Sequence, residues 1–255
     1  MTPADAAFMP LVAAAFLLEA ILGFGSTVLV VTVGAQFLPL DVLLPTYVPV
    51  NMLLSGWLVA RHRSHVDRPL LLRRILPVMG TGMGVGLLLP EALPRGPLLG
   101  AFGLFVVALA LPELIASRRR DTSPVPQAPQ AAPLAAPLAT AALFLGGTIH
   151  GLFGSGGPLV VYVMGRLGLD KGPFRATLSA LWLILNAVLV ANYVARGVLN
   201  GDTLLRSAAL LPCLAFGAWL GERLHARVDV RLFRTSVFTL LLLAGLSLAL
   251  RNLLP

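Results

Sequence analysis

The chain has 255 residues, 57% hydrophobic and 12% charged, with a formal net charge of +8. A soluble domain carries about 25% charged residues, so this composition excludes one. A mean hydropathy of +0.88 and apolar runs of about 20 residues define a polytopic helical membrane protein.

The positive excess matches the loop arginines of an inner-membrane protein, and no nucleic-acid partner is read from it. Lys171 is the only lysine, in a chain dominated by arginine, alanine and leucine, as in a GC-rich bacterial genome. The single cysteine, Cys213, allows no internal disulfide and no cysteine-based metal site. The N-terminal MTPADAAF carries Asp5 but no basic residue, so no cleaved signal peptide is read there.

Segment 1 spans Ala6 to Pro39, too long for one crossing of about 20 residues and too short for two. Gly23-Phe24-Gly25-Ser26 divides it into arms of about 17 and 13 residues. Segment 2 covers Val42 to Ala60 and contains Pro45, Pro49 and Asn51. Arg61, Arg63, Arg68, Arg73 and Arg74 are read as a basic loop. Segment 3, Leu76 to Leu89 with its flanks, carries Gly80, Gly82, Gly84 and Gly86, small residues that let helices approach closely in lipid. Segment 4, Leu98 to Ala116, stops at Arg118-Arg119-Arg120. Residues 121–133, DTSPVPQAPQAAP, form a proline- and alanine-rich linker between a first repeat (1–120) and a second (134–255). Segment 5, Leu134 to Leu169, is broken at Phe153-Gly154-Ser155-Gly156-Gly157-Pro158. Segments 6, 7 and 8 run over Phe174–Ala195, Leu204–Leu224 and Leu232–Leu250.

The halves repeat. Phe24-Gly25-Ser26 matches Phe153-Gly154-Ser155 at an offset of 129. Asn51 matches Asn186, Pro77 matches Pro212, Gly82 matches Gly217 and Gly86 matches Gly221, all at an offset of 135. A six-residue insertion after the second break accounts for the change.

Charge selects a topology. If all eight segments cross, lysine plus arginine divides 11 against 8 between the two sides. If segments 1 and 5 are re-entrant hairpins, the division is 15 against 4, which the positive-inside rule prefers. The expected fold is therefore all-α, with six crossings, two hairpins and both termini outside. Each half is a broken-helix hairpin plus three transmembrane helices. An odd number of crossings per half inverts the second repeat relative to the first.

After each break a new half-helix starts, about Thr27 to Phe37 and Pro158 to Met164. Its free N–H groups and partial positive charge suit an anion. Gly25, Gly154, Gly156 and Gly157 let backbone approach a ligand, and Ser26, Thr27 and Ser155 add hydroxyl donors. Tight helix packing is the other reading of these glycines. Asn51 and Asn186 can donate to an anion or bond between helices. Thr177 and Ser179 can line a pathway or bond back to their own helix. Glu19 and His150, each close to a break, are candidates for pairing with each other or for proton coupling, against an interfacial role. Arg166 and Arg175 flank the inner mouth.

His150 with Ser155 invites comparison with a serine hydrolase. A nucleophile elbow reads G-x-S-x-G, whereas residues 153–157 read F-G-S-G-G. No Walker A, HExxH or GxGxxG pattern is present. The chain is read as no enzyme, with no cofactor and no metal.

The chain resembles the TauE/SafE family, also called the sulfite exporter or TSUP family. The resemblance lies in AILGFGSTVLVV and in GLFGSGGPLVV followed by KGPFRATLSALWLILN, and it covers nearly the whole length. Family members usually have more glycines where this chain has Ser26-Thr27. The resemblance places Gly25, Ser26, Gly154, Ser155, Gly156 and Gly157 on the motif positions. It implies a bacterial inner-membrane carrier for export or uptake of small sulfur-containing or carboxylate anions, such as sulfite, sulfoacetate and other organosulfonates; the expected activity is export by alternating access, because a negative-inside potential favours anion exit. The partners expected are that anion and the lipid bilayer, and a homo-oligomer is compatible. An anion channel on the same scaffold and a substrate-free assembly subunit are the alternatives.

Overall fold

The computed structural model describes residues 3–36, 38–89, 95–119, 135–224 and 230–253. The linker at 121–133, Arg120 and Arg227 lie outside the described residues. Among the described residues every regular element is helical. In chain order these are α1 (Pro3–Leu22), α2 (Ser26–Gly34), α3 (Leu40–His62), α4 (Arg68–Leu70), α5 (Leu76–Leu88) and α6 (Arg95–Arg119). The second half continues with α7 (Ala136–Phe153), α8 (Gly157–Met164), α9 (Lys171–Ala195), α10 (Gly201–Ala209), α11 (Leu211–Leu224) and α12 (Val230–Leu253). The stretches Leu40–His65, Arg68–Leu88, Ala136–Phe153, Gly172–Ala195 and Gly201–Leu224 are each long and apolar enough to cross a membrane. Phe8–Leu22, Gly96–Pro112 and Phe238–Leu253 are shorter apolar helices.

Both glycine breaks reverse the chain. At the first, Gly23 and Gly25 have φ of 81° and 98°, left-handed values that a side chain would strain. α2 then returns along α1, with Ser26 against Glu19 and Gly34 against Phe8 and Leu11. At the second, Gly154 ends α7 with φ 63°, and its N–H bonds His150 O at 2.7 Å. α8 folds back so that Gly156, Leu159 and Val160 lie against Gly146. The return arms have 9 and 8 residues, and the outgoing arms 20 and 18, so the first hairpin is less even than the expected division. Pro158 occupies the second helical position, after Gly157; the first-turn N–H it lacks would have had no intrahelical partner anyway.

The two halves pack crosswise. α1 lies on α11 and α7 lies on α5, while α3 pairs with α9 and α6 with α12. Glycines set the close approaches. A Cβ on Gly82 would fall 2.1 Å from Phe144 O, and one on Gly86 2.2 Å from Thr148 O. Their counterparts Gly217 and Gly221 press in the same way on Ala13, Phe16, Leu17 and Ala20 of α1. Gly80 and Gly84 meet nothing within 4 Å, so only half of that glycine stripe makes the contact. Contacts along each pair fix direction. Met79 meets Gly147 and Met83 meets Gly151, so α5 and α7 run parallel. Asn51 meets Asn186 and Gly56 meets Leu183, so α3 and α9 run antiparallel. Gly100 meets Leu253 and Gly103 meets Ala249, so α6 and α12 do too.

The expected basic loop from Arg61 to Arg74 is mostly helical. Asp67 caps a helix start by accepting from Leu70 N–H at 3.0 Å, Pro69 follows in the first turn, and Arg73 and Arg74 sit on a wide helical turn that leads into α5. Segment 7 is interrupted at Leu210, between α10 and α11, just before Pro212, which has no N–H to continue the ladder.

Candidate functional site

The hairpin tips, α3 and α9 enclose one polar cavity. Its walls include Glu19, Gly25, Thr27, Asn51, His150 and Asn186, with the whole run from Gly154 to Gly157. Its volume is about 20 Å³, close to the least that holds one water. Phe24, Val28 and Trp182 supply the apolar part of the wall. Ser26 is buried immediately behind it. All the residues singled out in the sequence as anion-binding or proton-coupling candidates therefore lie in or against one site.

On the first-half side the polar groups bond one another, except Glu19 Oε1. Ser26 Oγ donates to Glu19 Oε2. Asn51 Nδ2 donates to the same oxygen at 2.7 Å and lies 3.4 Å from Tyr47 OH. Asn186 Nδ2 donates to Asn51 Oδ1 at 2.8 Å, joining equivalent residues of the two halves. Glu19 thus bonds Ser26 and Asn51 and does not pair with His150. The fold-back of α2 on α1 brings Ser26 to Glu19, and α3 delivers Asn51, so local donors reach the carboxylate first.

On the second-half side the groups are open. Ser155 Oγ and both ring nitrogens of His150 are buried without a hydrogen-bond partner, as is Glu19 Oε1. A buried polar group without a partner costs about 1–3 kcal/mol. Four such atoms around one cavity make a place that a polar ligand would stabilise. Ser155 and His150 do not bond each other, so the serine-base geometry of a hydrolase is not assembled.

The glycines divide by task. Gly156 lines the cavity, but a Cβ there would fall 2.2 Å from Gly146 O, so its lack of a side chain also serves the fold-back. A Cβ on Gly157 would sit at ordinary distance, 3.7 Å from Phe24 and Trp182.

Trp182 is the functional-site candidate that sequence reasoning passed over. Its Nε1–H donates to Gly23 O at 3.2 Å, and its ring stacks on His150 with centroids 5.6 Å apart, so it ties the first break to the second hairpin. A signal existed. Trp182 stands four residues before Asn186 and Tyr47 four before Asn51, again at the 135 offset, and four residues on a helix share a face. Tyr47 stacks on Phe16 of α1 as Trp182 stacks on His150 of α7.

The other candidates sit farther out. Arg175 packs on Gly23 and forms an ion pair with Glu222 of α11. Arg166 lies over the Tyr162 ring at 3.7 Å. Ser179 Oγ bonds back to Arg175 O at 3.0 Å, and Thr177 Oγ accepts from Asp67 N–H at 2.9 Å. Among the described residues no three histidine, cysteine or acidic side chains gather as a metal-ligand group.

A bundle of apolar helices closed around a polar cavity, with two helices broken at its edge, has the build of a membrane transport protein. The chain belongs to the sulfite exporter TauE/SafE family, whose family model matches residues 8–248. Membership assigns it to multi-pass membrane transport with a small anion as its class of substrate. No curated protein and no solved structure matches it significantly.

Proposed function

We propose that the protein is a secondary carrier that exports a small sulfur oxyanion, sulfite or an organosulfonate, across the bacterial inner membrane by alternating access. The observation that carries this reading is the convergence of both broken helices on one cavity with unpartnered donors. Gly25, Ser26, Thr27, Asn51, Gly154, Ser155, Gly156, Gly157 and Asn186 form the binding site, and Glu19 and His150 serve proton coupling. The two repeats, 1–120 and 134–255, are inverted about the site. The antiparallel pairing of α3 with α9, and of α6 with α12, supports that relation. The fold-back of α2 on α1 and of α8 on α7 supports two hairpins beside six crossings, with both termini outside.

The membrane potential favours exit of net negative charge by about 2.3 kcal/mol per charge per 100 mV, so export by a passive, potential-driven route needs no coupling ion, and proton coupling is the alternative route. Proteoliposomes loaded with sulfite test the function. Efflux that saturates and shows counterflow supports the carrier. Efflux that rises linearly with concentration and lacks counterflow supports a channel on the same scaffold. No protein-dependent flux of sulfite or an organosulfonate contradicts both.

A further inference from the structure

Glu19 occupies the place an anion would take at the first hairpin tip. Its Oε2 accepts from Ser26 Oγ and Asn51 Nδ2, the hydroxyl and amide donors that this tip offers to the cavity. Its other oxygen, Oε1, is buried at the cavity without a partner. The second tip has the same Phe-Gly-Ser but, among the described residues, no carboxylate in that role. The residue at the equivalent offset is Thr148, whose hydroxyl donates to Phe144 O of its own helix at 3.0 Å. Ser155 is left without a partner.

We propose that Glu19 is a built-in competitor of the anion: the ionised carboxylate holds the first tip's donors and repels a ligand, and an anion binds when Glu19 carries a proton. This rests on the anion-carrier reading above and adds to it an order of events, proton with anion, and a stoichiometry of one.

The charged and titratable groups around Glu19 leave this balance to the carboxyl and the ligand. α2 contributes Ser26 and Thr27, which do not titrate. α3 contributes Tyr47 and Asn51, and α7 contributes His150 across the cavity. α9 contributes Asn186 and Trp182 to the wall. Arg175 of α9 is paired with Glu222 of α11. Among the described residues no lysine or arginine lines the cavity, so no fixed cation there offsets a carboxylate and an anion held together. In a low-dielectric site two like charges a few ångströms apart repel strongly enough to change affinity about tenfold or more. A proton on Glu19 removes one of the two charges. It also turns the carboxyl into a donor, and it frees Ser26 and Asn51 to turn toward the ligand.

The test uses the full chain purified in detergent and calorimetric titration with methanesulfonate and sulfate, whose charge stays constant over the range used. Wild-type affinity is expected to rise about tenfold or more from about pH 8 to about pH 5. Glu19→Gln is expected to bind at the tight limit throughout, with no pH dependence. Titration of the wild type in two buffers of different ionisation enthalpy is expected to show net proton uptake on anion binding over the pH range where affinity changes; this arm needs no variant to fold. Equal affinity and equal pH dependence in wild type and Glu19→Gln overturns the inference while leaving the carrier reading intact. So does binding of anion with no proton uptake. Failure of both anions to bind the folded wild type at any pH removes the carrier site and this inference with it.

Discussion

The two hairpin tips carry the same Phe-Gly-Ser and end in opposite states. At the first, Ser26 is buried and spends its proton on Glu19, while Asn51 bonds the same carboxylate. At the second, Ser155 and His150 are equally buried and their side-chain polar atoms have no hydrogen-bond partner. The same three residues thus precede two helix starts, and at one of them a carboxylate takes up the serine's donor. The first tip's serine is bonded within the protein, and the second tip's serine is not. The equivalent asparagines, joined to each other at 2.8 Å, link the closed side to the open side.

Substitutions can break this contrast, beginning with the backbone. Gly156→Ala puts a Cβ onto Gly146 O and should cost about 3 kcal/mol or more, seen as loss of folded protein or a large drop in melting temperature in detergent. Gly157→Ala, with its nearest neighbours at 3.7 Å, should melt close to wild type. Equal losses would mean that both glycines serve the same purpose.

The serines come next. Ser26→Ala removes a donor from the Glu19 carboxylate and should lower stability by about 1–3 kcal/mol, measured by thermal or chemical unfolding. Ser155→Ala removes a hydroxyl that has no protein partner, so stability should hold or rise slightly while anion affinity falls about tenfold. Reversal of that pattern would place the ligand at the first tip.

A smaller loss than at Ser26 is expected at Trp182. Trp182→Phe keeps a ring over His150 but loses the bond to Gly23 O, at a cost of about 1 kcal/mol. Its fluorescence gives a second check. Bound anion beside the stack should change the emission of wild type more than that of Trp182→Phe, which retains Trp57 and Trp219.

Much of the fold and of the site is legible in the sequence, for a definite reason. Glycine and proline inside an apolar run cost so much helix that Gly23–Ser26 and Phe153–Pro158 had to be breaks. The polar Asn51 and Asn186, each set in an apolar helix, had to find partners, and the structure shows that they find each other. What the sequence hides depends on contacts between elements distant along the chain. Gly156 reads as room for a ligand, and only the fold-back shows Gly146 O behind it. Glu19 and His150 look like a pair because each precedes a break, but they belong to different hairpins, and Glu19 meets Ser26 first. The start of the third segment is obscured because the run of arginines from Arg68 to Arg74 masks the Asp67 cap and Pro69. Trp182 looks like ordinary core in the sequence, and only the packing of α9 sets its ring between the two hairpins.

The most direct test of the account is anion binding compared across the two tips. Purified wild type, Ser26→Ala and Ser155→Ala would be titrated with sulfite and methanesulfonate by calorimetry, with folding confirmed by melting in detergent. The account predicts saturable binding to the wild type, weakened about tenfold by Ser155→Ala and less by Ser26→Ala. Binding left unchanged by Ser155→Ala, or no binding by folded wild type, would contradict it.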